Sequence, residues 1–110
     1  MWQIDPKLLC NKHLLGEHGE IHKFRHTFVK QYKIDGRISP VVQIEPASMS
    51  VRHNELAAEM VSRGFNHKSD YVLPDLSYLG EKANVKVNID ISTSDLINRC
   101  AECANRIKGV

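Results

Sequence analysis

From Leu8 to Phe28 the apolar residues Leu8, Leu9, Leu14, Leu15, Ile21, Phe24 and Phe28 return at spacings of three, four and seven, the period of a helix with one side turned to a core. Pro6 suits the first position of such a segment, because the N–H it lacks is one that a helix start leaves unpaired anyway. Gly16 and Gly19 cut into the pattern, each costing about 1 kcal/mol against alanine in a helix interior. A bend or split is expected there, with the firmest helix over 17–32. A second helix is predicted from Ser48 or Ser50, with Met49, His53, Leu56, Ala57, Met60 and Val61 as its stripe and Gly64 as its left-handed stop. A third begins at Ser92, with Ser92-x-x-Asp95 as a capping box and Leu96, Ile97, Cys100, Ala101, Ala104 and Ile107 facing inward.

Between these lie breaks. Asp35-Gly36, Ser39-Pro40 and Pro46 make 33–47 a connector with an extended piece at 41–44, and 66–84 reads as loop. Val85, Val87, Ile89 and Ile91 alternate with Lys86, Asn88 and Asp90, which predicts an exposed strand or arm. The expected fold is mainly α: a compact single domain over 1–110, built from about three helices with long connectors and room for one short extended segment.

Several function classes are excluded. No stretch reaches the roughly 20 apolar residues of a membrane span, and Met1-Trp2-Gln3-Ile4-Asp5-Pro6 lacks the layout of a secretory signal, so a cytoplasmic protein in a bacterial or phage-infected cell is expected. Cys10, Cys100 and Cys103 are odd in number and sit at the two ends of the chain, which favours reduced thiols. Residues 1–40 carry seven Lys/Arg against four Asp/Glu and also His13, His18, His22 and His26, whereas 41–110 carry eight against nine. The first part is the one suited to phosphates. Phosphate-loop, Ser-His-Asp and HExxH signatures are absent.

Cys10-x2-His13 and Cys100-x2-Cys103 together offer a tetrahedral zinc donor set. Cys100 and Cys103 also fall on a predicted amphipathic helix, where small thiols serve as core filling. His18, His22 and His26 stand four apart on one helical face, able to share a metal, meet a phosphate or simply be solvated. No metal and no cofactor are expected.

The order of residues is more specific. His13-Leu14-Leu15-Gly16-Glu17-His18-Gly19-Glu20-Ile21 resembles the His-Leu-x-x-Glu-x-x-Glu-Leu segment of the pyrimidine-dimer DNA glycosylase family, the phage endonuclease V type. The run from Arg52 to Asn66, ending Arg63-Gly64-Phe65-Asn66, is similar to that family's second helix and its exit. Ile38-Ser39-Pro40 resembles the family's Ile-Ser-Pro, and Ile89-Asp90-Ile91-Ser92 gives a fainter match.

The resemblance implies a compact helical enzyme of DNA repair that binds damaged duplex DNA, excises a base and cleaves at the abasic site, acting as glycosylase, lyase and endonuclease without a cofactor. In such chemistry an unprotonated amine attacks the sugar C1′. An α-amine titrating near 8 is free in about 10 per cent of molecules at neutral pH, far more than an ordinary lysine. The resemblance places the catalytic pair at the amine of Met1 and the carboxylate of Glu20. With Trp2 following, Met1 is expected to be retained. Trp2, His13, His22, Lys23 and Arg99 are the expected DNA contacts, Trp2 as a stacking or wedging ring and the others at phosphates. Arg52 and Lys68 are further backbone-contact candidates, Glu17 a neighbour or support of the site, and Arg63 a helix-end cation with a structural role.

Three positions depart from the family pattern. Gly19 stands where an Arg is usual, Asp95 replaces a basic residue, and no aromatic-rich tail precedes Val110. Each removes DNA affinity or lesion reading, which keeps open a rival of another class, a non-catalytic DNA- or protein-binding module derived from such an enzyme. A monomer is expected, with a protein partner conceivable.

Overall fold

A computed structural model describes residues 1–109. Its α-helices are α1 (Asn11–Val29), α2 (Asp35–Ile38), α3 (Met49–Ser62), α4 (Ile89–Arg99) and α5 (Ala101–Lys108), joined by 3-10 turns at Pro6–Leu8, Pro46–Ser48 and Ser77–Asn84. There is no strand among the described residues, so the chain is mainly helical as its periodicity predicts. No helix is long and apolar enough to cross a membrane.

The core is the seam between α1 and α3. Leu14, Ile21 and Phe28, seven apart on α1, are buried against Met49, Leu56 and Met60 of α3, each such side chain contributing roughly 1.5–3 kcal/mol relative to exposure. Leu96 of α4 and Cys103 of α5 close the same cluster from the C-terminal side. Arg63, just past α3, donates to Glu59, to Asn11 and to the carbonyls of Pro6 and Leu9, so its role is to tie the start of the chain to the end of α3. Gly64 takes φ +88°, the left-handed stop the sequence predicts.

Four expectations are corrected. Helix α1 runs unbroken through Gly16 and Gly19, because burial of Leu14, Ile21 and Phe28 along its inner side outweighs the local cost of the two glycines. The alternating stretch 85–91 is not a strand: Asn88 caps α4 by accepting from the N–H of Ile91, so the helix starts at Ile89 and Ser92 lies inside it. The predicted third helix is two, since Cys100 is extended (φ −136°, ψ 109°) and its thiol caps α5. Ser48 makes no side-chain cap for α3, whose start is carried over from the preceding 3-10 turn.

Candidate active site

Two glutamates one turn apart on α1 organise the N-terminus. Glu17 is buried and accepts from the Nε and Nη2 of Arg52, which is itself 3 % exposed. Its Oε1 also accepts from the backbone N–H of Trp2 at 3.2 Å. Arg52 is therefore an internal counter-ion, not a DNA contact, and Glu17 is the support on which the first residues rest.

Glu20, partly exposed, accepts from the α-amine of Met1 at 2.9 Å, and the same amine donates to the carbonyl of Gln43 at 2.8 Å. The Met1 side chain is fully buried, its thioether accepting from the N–H of Glu45 at 3.2 Å. Ser92 Oγ donates to the Trp2 carbonyl at 2.7 Å, and Gln3 Nε2 donates to Glu45 at 2.8 Å. Gln3 holds φ +56°, a left-handed conformation that costs a non-glycine residue of order 1 kcal/mol and persists only where neighbours enforce it. The enforced turn leaves the first nitrogen fixed from several sides.

The pair opens into a cleft of about 730 Å³ lined by Met1, Trp2, Glu20, Phe24, Arg37, Lys86 and Arg99 among others. A second groove of about 700 Å³ shares Glu20, Phe24 and Arg37 and adds Lys23 and Lys33. Around the two, Lys23, Lys33, Arg37, Lys86 and Arg99 face the carboxylates of Glu20 and Asp95. The balance favours an anion. Asp95 offsets part of it by holding Arg99 at 3.1 Å.

Of the expected DNA contacts, Trp2, Lys23 and Arg99 line these grooves. His13 and His22 do not. His13 lies with Cys10, Cys100 and Cys103, and its imidazole is held below the usual histidine range by burial and by Lys12 and Arg99. His22 lies with His18, His53 and His67 and is likewise lowered by burial and by its neighbours. Both shifts favour the neutral imidazole, which weakens the cationic charge a phosphate contact would use. His18, pushed down to about 4 by burial and by the three other imidazoles, is neutral too.

Sequence reasoning misses Arg37, Gln43, Lys86 and the anchoring role of Glu45. A helix pattern could not have found them, because all four sit in or beside irregular connectors whose path is set by tertiary contacts.

A family model, pyrimidine dimer DNA glycosylase, matches residues 1–72. Comparisons with the curated proteins and with the solved structures return no significant match. The matched span holds the amine, both glutamates of α1, Arg52 and the α3 exit. With about two thirds of its residues under one family model, the chain belongs to the pyrimidine dimer DNA glycosylase family.

Proposed function

We propose that this protein is a DNA repair glycosylase with abasic-site lyase activity, acting on damaged duplex DNA through an imine formed by the Met1 amine. The observation that carries the reading is the 2.9 Å contact between that amine and Glu20 inside an open, cation-lined cleft. Family membership supports DNA glycosylase-type repair, and the geometry supports the finer chemistry.

The amine must lose a proton before it can attack, and the carboxylate of Glu20, 41 % exposed, is positioned to take it and pass it to solvent, which leaves Glu20 ionised for the steps that follow. The nitrogen bonds to C1′ as the C1′–base bond breaks, and the base leaves with the bonding pair. Glu20 faces the cationic sugar in this step. The C1′–O4′ bond then opens, O4′ takes a proton, and C1′ becomes an iminium. A proton passes from C2′ to a base, again Glu20, and the freed pair expels the 3′ phosphate from C3′. Water finally hydrolyses the imine and returns the amine.

Lys23 and Arg99, together with Arg37 and Lys86, would hold phosphates on either side of the extruded nucleotide, while Trp2 fills space in the stack beside the amine. Lys23 supplies point charge without the bidentate fork of an arginine. The expected working unit is a monomer.

Borohydride reduction on a duplex carrying one abasic site tests the reading. A covalent protein–DNA adduct that disappears when the N-terminus is acetylated is expected. No adduct under any condition would contradict the lyase and leave a binding module.

A further inference from the structure

We propose that the chain binds a structural zinc ion through Cys10, His13, Cys100 and Cys103. The donors come from opposite ends of the sequence, Cys10 and His13 at the start of α1 and the cysteines at the start of α5. Cys10 Sγ lies 3.2 Å from His13 Nδ1 and 3.9 Å from Cys100 Sγ, and Cys103 Sγ lies 3.6 Å from His13 Nδ1. Tetrahedral zinc, with Zn–S of about 2.3 Å and Zn–N of about 2.0–2.1 Å, holds its ligand atoms about 3.5–3.8 Å apart. The observed set falls around those spacings.

Core filling explains the cluster less well. The N–H of Cys10 donates to Cys103 Sγ at 3.2 Å, and that of Cys103 to Cys100 Sγ at 3.4 Å. Both sulfurs thus sit at the end of a backbone donor, a polar placement that core filling does not require. The extended backbone at Cys100 breaks the helix where the pair needs a turn. A disulfide needs sulfurs at about 2.05 Å, against 3.9 Å for Cys10 and Cys100. With four protein donors, two of them buried, the site is closed and therefore structural. It staples the two ends of the fold beneath Trp2, whose ring meets His13 edge-on at 5.9 Å.

Separate residues carry a second metal site. The Nε2 atoms of His18, His53 and His67 lie 2.9, 3.2 and 3.3 Å from one another, and a donor atom of His22 falls within 4.8 Å of all three. A neutral imidazole nitrogen offers either one lone pair or one hydrogen. Three of them in mutual contact therefore leave at least two lone pairs converging. The Nε2 of His22 is buried with no partner at all. Asn54 Oδ1, 3.0 Å from His53 Nδ1, can accept a hydrogen bond from Nδ1–H and so leave Nε2 as a ligand lone pair, the usual support of a metal-bound histidine. The Ser69 carbonyl, 3.1 Å from His53 Nε2, competes only when that nitrogen is protonated. An all-imidazole donor set selects a divalent transition ion such as zinc, nickel or copper.

Elemental analysis of tag-free protein, followed by cobalt titration of the reduced, metal-stripped protein, tests both sites. Two metal ions per chain are expected, at least one of them zinc, and cobalt should give sulfur-to-metal charge-transfer absorption with tetrahedral visible bands. Cys100→Ser, at a half-buried position, should lose one ion and the charge-transfer bands. His67→Gln, in a loop, should lose one ion and keep those bands. Metal-free protein with unaltered melting in chelator would overturn both sites. Cobalt bands without sulfur charge transfer, or a disulfide in the native protein, would overturn the cysteine site, and His67→Gln retaining two ions would overturn the histidine one.

Discussion

Glu17 and Glu20 leave the same helix one turn apart and end in opposite surroundings. Glu17 faces α3, is 3 % exposed, and spends its acceptors on Arg52 and on the backbone of Trp2. Glu20 faces the cleft, remains partly exposed and touches one mobile proton, that of the Met1 amine. The two side chains stand about 60° apart around the helix axis and about 4.5 Å apart along it, neighbours on one face, of which Glu17 packs under Arg52 while Glu20 reaches the cleft. The buried pair fixes the platform, and the exposed residue does chemistry on it.

Breaking each side in turn gives effects of different kinds. Glu20→Gln should lower the rate of strand cleavage at an abasic site by about 10²–10⁴-fold, the usual contribution of a general base, while melting stays close to wild type. Single-turnover cleavage on a defined abasic duplex measures it, and an unchanged rate would move the base elsewhere. Glu17→Gln leaves Arg52 as an unpaired buried charge and should cost about 3–5 kcal/mol of stability, read from denaturant unfolding. The double variant Glu17→Gln/Arg52→Met should recover much of that loss, since it removes the orphaned charge as well.

A smaller effect sharpens the comparison through pH. Burial pushes the Glu45 carboxyl up, but the Val87 N–H, Gln3, Ser48 and Lys86 outweigh it and hold the group below the usual glutamate range. A folded-state value lower than the unfolded one contributes stability that is present above the unfolded value and lost as pH falls through the folded one. Unfolding free energy should therefore drop below the ordinary glutamate range more steeply in wild type than in Glu45→Gln. Identical acid limbs would remove Glu45 from the N-terminal anchor. Least of all, Asp95→Asn releases Arg99 from its surface partner, and the salt dependence of duplex binding should steepen by about one counter-ion.

What could be read beforehand follows the range of the forces involved. The stripe Met49, His53, Leu56, Ala57 and Met60 and the stop at Gly64 are local and survive in α3, while Val61, expected on the same stripe, is exposed. The Glu17 and Glu20 motif carries the family because order along one helix is also local. Val85 to Ile91 misleads, since its alternation predicts a strand while Asn88 starts a helix that tertiary packing then completes. Arg52 reads as a surface cation until α1 brings Glu17 against it. The histidines show the limit most sharply: His18 and His22 share a helix face in the sequence, but His53 and His67 join them only through the packing of α3 and the loop that follows.

The central claim is that the first nitrogen of the chain is the nucleophile. Digesting the borohydride-trapped adduct and mapping its peptides by mass spectrometry tests this most directly. The sugar remnant should sit on the α-amine of Met1, in the peptide ending at Lys7. A remnant carried by a lysine side chain such as Lys23 or Lys86, with the Met1 amine unmodified, would contradict it.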